Sequence, residues 1–120
     1  MNELVDLQPR IVEKMINDNI VMIDVRREEE CKRTGLIKNS HLLTFFDDRG
    51  EYNLEKWMEE FEKLVTSKNQ TFILICARGN RTRTIGNYLI SQDYKNTSHL
   101  FGGIVLWQQE LRETIDYKTQ

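Results

Sequence analysis

Two rhythms of apolar residues alternate along this 120-residue chain. One is the short, nearly unbroken run. Ile20-Val21-Met22-Ile23-Asp24-Val25 and Thr71-Phe72-Ile73-Leu74-Ile75 are of this kind, and such runs suit strands covered on both faces of a parallel sheet. Leu4-Val5, His41-Leu42-Leu43-Thr44-Phe45 and Thr97-Ser98-His99-Leu100-Phe101 are weaker strand candidates. The other rhythm is helical. Leu54, Trp57, Met58, Phe61, Leu64 and Val65 recur three or four positions apart in most steps, a one-sided stripe that packs as core. Asn53 stands where an N-cap belongs. Pro9 fits a first helical turn, where its missing N–H is not needed, and Ile11, Val12, Met15 and Ile16 give that helix an apolar side. Residues 27–33 predict a short charged helix ending near Gly35. Thr82 to Ser91 predicts a helix with Ile85, Tyr88 and Leu89 inward. Gly102-Gly103 turns the chain into a last helix with Ile104, Trp107, Leu111 and Ile115 on one face. Strands alternating with helices predict an α/β fold. No linker or internal repeat divides residues 1–120, so one domain is expected.

Composition narrows the class. A domain of this length buries roughly two-thirds of the surface its unfolded chain exposes and needs no disulfide or metal to fold. Mean hydropathy is -0.57, and no apolar run approaches the ~20 residues that span a bilayer. The opening residues lack the basic start and apolar stretch of a secretory signal. The two cysteines, Cys31 and Cys76, are too few for a disulfide framework, and neither has a Cys or His at metal-ligand spacing. Free thiols in a reducing cytoplasm, with no metal and no membrane, are the expectation.

Net charge is -2 and the pI about 5.7, which argues against a dedicated nucleic-acid binder. The sum hides an asymmetry. Residues 1–60 carry 9 basic and 14 acidic side chains, and residues 61–120 carry 8 and 5. Arg78, Arg81 and Arg83 fall close together, and no Asp or Glu lies between Glu62 and Asp93. On charge alone this is a solvated basic face; the sharper reading is a local site for anions, which the neighbouring residues must decide.

The chemistry converges on Cys76-Ala77-Arg78-Gly79-Asn80-Arg81-Thr82. In open α/β sheets, ligands bind beyond the carboxyl ends of the strands. Cys76 follows such a strand and precedes a helix, whose free N–H groups favour an anion. Gly79 and Asn80 tolerate the turn conformations that curl a loop into a cup of N–H groups. Together with the arginines these features favour thiolate over thiol and make Cys76 the candidate nucleophile. Protein-tyrosine phosphatases carry C-x-x-x-x-x-R with the Arg six positions after the nucleophile. Here that position is Thr82, and Arg81 and Arg83 stand on either side. The six-residue loop from Cys76 to Arg81 is one residue shorter than a phosphate cradle and suits a smaller group, such as one sulfur atom on the thiol.

At this point the sequence resembles the rhodanese (sulfurtransferase) family. C-A-R-G-N-R-T looks like the family's active loop, with Cys76 in the persulfide-forming place. Ile23-Asp24-Val25-Arg26-Arg27-Glu28-Glu29-Glu30, then Gly35-Leu36-Ile37, looks like its first motif. His99-Leu100-Phe101-Gly102-Gly103-Ile104, then Trp107, looks like its closing signature. Leu36 stands where the family usually has His, Lys38-Asn39-Ser40-His41 replaces a common Pro-Gly-Ala, and Cys31 replaces a frequent aromatic residue. These departures lie away from the loop and bear on subfamily and substrate.

The resemblance implies a single rhodanese domain with a five-stranded parallel sheet and helices on both faces. It implies sulfurtransferase activity: Cys76 takes sulfane sulfur from thiosulfate, polysulfide or a persulfide and passes it to a thiol or to cyanide, with no cofactor. The acceptor thiol belongs to a small molecule or a protein. A non-catalytic persulfide carrier is the alternative, with a Cys-based phosphatase or arsenate reductase behind it. The N–H groups from Ala77 to Thr82 are expected to hold the persulfide, and Arg78 and Arg81 the anionic end of the donor. Because a short loop leaves a shallow site, a homodimer fits as well. Arg26 and Glu30 are expected to pair on the short helix, Cys31 to pack, and His41 and His99 to be hydrogen-bonded strand-end histidines.

Overall fold

The computed structural model describes residues 2–118; Met1, Thr119 and Gln120, the ends of the expected domain, lie outside the described residues. Five strands and five helices alternate: β1 (Val5–Leu7), α1 (Pro9–Met15), β2 (Val21–Asp24), α2 (Glu28–Thr34), β3 (Ser40–Leu42), α3 (Leu54–Leu64), β4 (Phe72–Ile75), α4 (Asn80–Ser91), β5 (Thr97–Leu100) and α5 (Gly103–Gln109). The strands form one parallel sheet in the order β1-β5-β4-β2-β3.

The continuous apolar runs are the central strands, as their pattern predicts. Successive side chains of β4 point to opposite faces, and each face finds its own core. Phe72 and Leu74 join Ile23, Val25, Trp57, Phe61, Ile85 and Leu89, which places α3 and α4 on one side. Ile73 and Ile75 join Met22, Val12, Leu100, Ile104 and Trp107, which places α1 and α5 on the other. Asn53 caps α3 as its sequence position predicts, its side-chain oxygen accepting from the Lys56 N–H at 3.1 Å.

Three local expectations are corrected. Helix α5 ends at Gln109, because Leu111 takes a positive φ of 58° and is 91 % exposed. Leu111 and Ile115 therefore share no face with Ile104 and Trp107. Ile115 instead pairs with Leu36 in an antiparallel bridge, two backbone hydrogen bonds of 2.8 and 2.9 Å. Helix α4 starts two residues earlier than Thr82, at Asn80, because Gly79 adopts φ 98° and turns the chain straight into it.

The third correction concerns Arg26 and Glu30, which do not pair. Arg26 precedes α2 and is buried. Its Nε and Nη2 donate to both carboxylate oxygens of the equally buried Asp24, at 2.9–3.2 Å. Nη1 reaches Thr34 Oγ1 at 2.8 Å, and Nη2 reaches the Gly35 carbonyl at 3.0 Å. A buried guanidinium needs its N–H groups matched, and these partners come from the end of β2 and the C-terminal end of α2.

Candidate active site

Cys76 follows the last residue of β4, next to the sheet's centre, and opens the loop that feeds α4. The residue is 1 % exposed. Two groups reach its sulfur among the described residues: the Gly79 N–H donates to Sγ at 3.1 Å, and Thr82 Oγ1 lies 3.4 Å away. Both belong to the turn where α4 begins. Its 12-residue dipole therefore points its positive end toward the thiol.

The Gly102-Gly103 pair explains how the loop keeps this shape. The Ile104 N–H donates to the Cys76 carbonyl and the Val105 N–H to the Ala77 carbonyl, each at 3.0 Å. Two oxygens that would repel an anionic sulfur are thus engaged by the first turn of α5. The approach is so close that a Cβ on Gly103 would sit 2.3 Å from the Ala77 carbonyl oxygen, and Gly103 also takes φ 62°. Only glycine meets both conditions.

Around the loop the arginines divide. Arg78 is exposed and makes no hydrogen bond or ion pair among the described residues. Arg81 is engaged by Glu30 of α2: Nη1 donates to Oε1 at 2.7 Å and Nη2 to Oε2 at 2.8 Å. This pair holds the Glu30 carboxyl down at about 2, chiefly through the Arg81 hydrogen bonds. Arg83 faces outward and reaches Asp6 at 3.5 Å. Ala77 and Asn80 complete the loop, the first half-buried and the second exposed.

One constellation escaped sequence reasoning. Thr82 Oγ1 lies 2.7 Å from His99 Nδ1 on β5, and His99 Nε2 is bonded to the Asp6 carboxylate on β1. His99 is buried, and burial, the largest influence, lowers its pKa. The sequence signal was a pair of polar residues, Asp6 and His99, inside strands. Their meeting depends on the β1–β5 pairing, in which Asp6 stands opposite His99, and that non-local pairing is invisible to local periodicity.

The remaining candidates settle into plain roles. Cys31 is fully buried, with Arg26 Nη2 3.5 Å from its sulfur. Both cysteines are free thiols. His41, expected to be hydrogen-bonded, is instead exposed in the middle of β3 and its side chain makes no hydrogen bond among the described residues. Asp47 closes its own loop by accepting from the N–H groups of Arg49 and Glu51.

The family model for the rhodanese-like domain matches residues 8–110. The chain belongs to the rhodanese-like domain family. Solved structures share its fold at low sequence identity. A polysulfide-sulfur transferase homodimer from Wolinella succinogenes is 22 % identical, with a TM-score of 0.73, and the match covers 98 % of this chain and 82 % of that one. A thiosulfate sulfurtransferase from Pseudomonas aeruginosa is 17 % identical with a TM-score of 0.76; the match covers 98 % of this chain but 21 % of that one. A Rhodopseudomonas palustris protein of unknown function, described as a possible tyrosine phosphatase, is 19 % identical with a TM-score of 0.68, over 93 % of this chain and 85 % of that one. The rhodanese-like fold expected from the motifs is thus the fold observed. Among the described residues no helix is long and apolar enough to cross a membrane, and no group of three or more His, Cys, Asp or Glu could hold a metal ion.

Proposed function

We propose that this rhodanese-like protein is a sulfurtransferase that carries sulfane sulfur as a persulfide on Cys76. The observation that carries the reading is the seat of that sulfur. It lies at a strand's carboxyl end, under the first turn of α4, with the Gly79 N–H aimed at it. Donors of this kind stabilise a sulfur anion as an oxyanion hole stabilises oxygen.

Two displacements complete the cycle. The Cys76 thiolate attacks the outer sulfur of thiosulfate, or a sulfane sulfur of polysulfide. The donor's S–S bond breaks, sulfite or the shortened polysulfide leaves with the electron pair, and Cys76 becomes a persulfide. An acceptor thiolate then attacks the outer sulfur and leaves as a persulfide, and Cys76 regains its thiolate. In the cytoplasm that two unpaired thiols suit, a small-molecule or protein thiol is the acceptor. Arg78, exposed and without an anionic partner among the described residues, is the residue to hold the donor's charged end. Arg81 orients the loop through Glu30, and the N–H groups from Ala77 through Gly79 and Asn80 to Thr82 frame the cup.

Two features favour sulfur over phosphate. The loop is one residue shorter than the C-x-x-x-x-x-R cradle, and Arg81 is already neutralised by Glu30. Intact-mass measurement after incubation with thiosulfate and with polysulfide tests the proposal. The expected result is a gain of one sulfur atom by the wild type and none by Cys76→Ser. No gain with any donor, or Cys76-dependent hydrolysis of an aryl phosphate, overturns it.

A further inference from the structure

The groups behind the cup form a continuous path. Cys76 Sγ is 3.4 Å from Thr82 Oγ1, Thr82 Oγ1 is 2.7 Å from His99 Nδ1, and His99 Nε2 is bonded to Asp6 Oδ1. Cys76, Thr82 and His99 are buried, while the Asp6 side chain is 44 % exposed. The line therefore runs from an enclosed sulfur to solvent through three side chains on α4, β5 and β1.

Hydrogen-bond direction follows from the end groups. Asp6 as a carboxylate only accepts, so His99 Nε2 carries a proton and donates it. A neutral imidazole then has a bare Nδ1, which accepts the Thr82 hydroxyl proton. With its own proton so placed, Thr82 Oγ1 presents lone pairs to Cys76, whose S–H donates to it. Every link has one donor and one acceptor, and no buried side-chain nitrogen or oxygen among the described residues lacks a partner.

We propose that His99, aligned by Asp6, is a positioning residue that accepts the Cys76 proton through Thr82 and so prepares the thiolate. The Cys76 S–H bond breaks as its proton passes to Thr82 Oγ1, and the Thr82 proton passes to His99 Nδ1. The products are a thiolate facing both the Gly79 N–H and the renewed Thr82 hydroxyl, and an imidazolium against the Asp6 carboxylate. The proton count is unchanged and no oxidant or reductant is required.

The surroundings of His99 are consistent with this role. The ring's bare Nδ1 follows from those hydrogen bonds, and burial, the largest influence on its pKa, acts in the same direction by disfavouring the charged ring. From β1 it meets the Asp6 carboxylate, which favours the protonated ring once formed. From α4 it meets neutral Thr82, with the Arg83 guanidinium beyond at 3.5 Å from Asp6. From β4 its register partner is apolar Leu74. From the active loop it meets the Gly79 backbone, where a Cβ would lie 3.8 Å from His99 Cε1.

This inference rests on Cys76 as the nucleophile, but its test needs no sulfur donor. The rate of Cys76 alkylation by iodoacetamide, followed by peptide mass, is measured from pH 5 to pH 10 in the folded protein. Thr82→Val and His99→Asn are each expected to slow alkylation about tenfold at neutral pH and to move the profile toward higher pH. Their rates converge on the wild type at the alkaline end, where no acceptor is needed. Thr82→Ser, which restores the hydroxyl, is expected within about twofold of the wild type, and Asp6→Asn between the two groups. A Thr82→Val profile that coincides with the wild type overturns the relay, as does one lowered equally at every pH. Failure of persulfide loading with these shifts intact overturns the proposed function and leaves the relay standing.

Discussion

The two thiols of this protein are nearly equal in burial and opposite in setting. Cys31 is 0 % exposed and Cys76 1 %, and each has an arginine nearby. At Cys31 the arginine is Arg26, whose charge is already engaged by Asp24. Desolvation first, and then the Asp24 carboxylate, push that thiol up to about 11. Cys76 instead faces an N–H, a hydroxyl and the positive end of a 12-residue helix. Burial is shared by the two thiols, and what differs is the sign of the fixed dipoles and charges around each sulfur.

The comparison breaks most sharply under direct substitution. Cys76→Ser is expected to abolish sulfur loading, whereas Cys31→Ala retains it, both read by intact mass. Next in size, Arg26→Met leaves Asp24 as an unpaired buried charge and should cost about 3–5 kcal/mol in urea unfolding. If the loss is below ~1 kcal/mol, the Asp24–Arg26 pair is not what organises the Cys31 region. On the other side, Gly103→Ala forces a Cβ into the Ala77 carbonyl and should cost about 3 kcal/mol. It should also slow sulfur loading, because the Cys76 loop must shift; unchanged loading would mean that α5 does not hold the loop.

Much of this contrast was legible in the chain and part was not. Local pattern carried the elements well. The apolar runs became β2 and β4, the stripe from Leu54 became α3, and the glycines bounding α4 and α5 were visible as breakers. Cys76 at a strand end before a Gly/Asn/Arg turn was legible as a nucleophile candidate for the same local reason. Pairings set by the tertiary arrangement were not. Arg26 and Glu30 have helical spacing, but Arg26 lies outside α2 and buries itself on Asp24, while Glu30 reaches 51 positions along the chain to Arg81. Thr82, His99 and Asp6 come from α4, β5 and β1, and only the strand order brings them together. Leu111 continued an apolar stripe that the backbone does not follow, since a helix ends where φ turns positive.

Smaller effects sharpen the picture through pH. Glu30 joins the two regions, one residue before Cys31 and bonded to Arg81 of the Cys76 loop. Its carboxyl falls from the ordinary 4.5 to about 2, so its stabilisation is complete above the unfolded value and is lost as pH falls from 4.5 through 2. Glu30→Gln should remove about 1–2 kcal/mol of stability at pH 7 and flatten the acid limb of the stability profile. Cys31 acts in the alkaline direction. Its thiol is held neutral to about 11 against 9.0 when unfolded, so its contribution declines as pH rises from 9 to 11. Cys31→Ala should show a shallower alkaline decline than the wild type.

The central claim, that setting rather than exposure makes Cys76 the reactive thiol, is tested most directly inside one molecule. Native protein at neutral pH is labelled with light iodoacetamide, unfolded, relabelled with heavy reagent and mapped by peptide mass. The account predicts light label on Cys76 and heavy label on Cys31. Equal labelling of the two, or Cys31 labelled first, contradicts it.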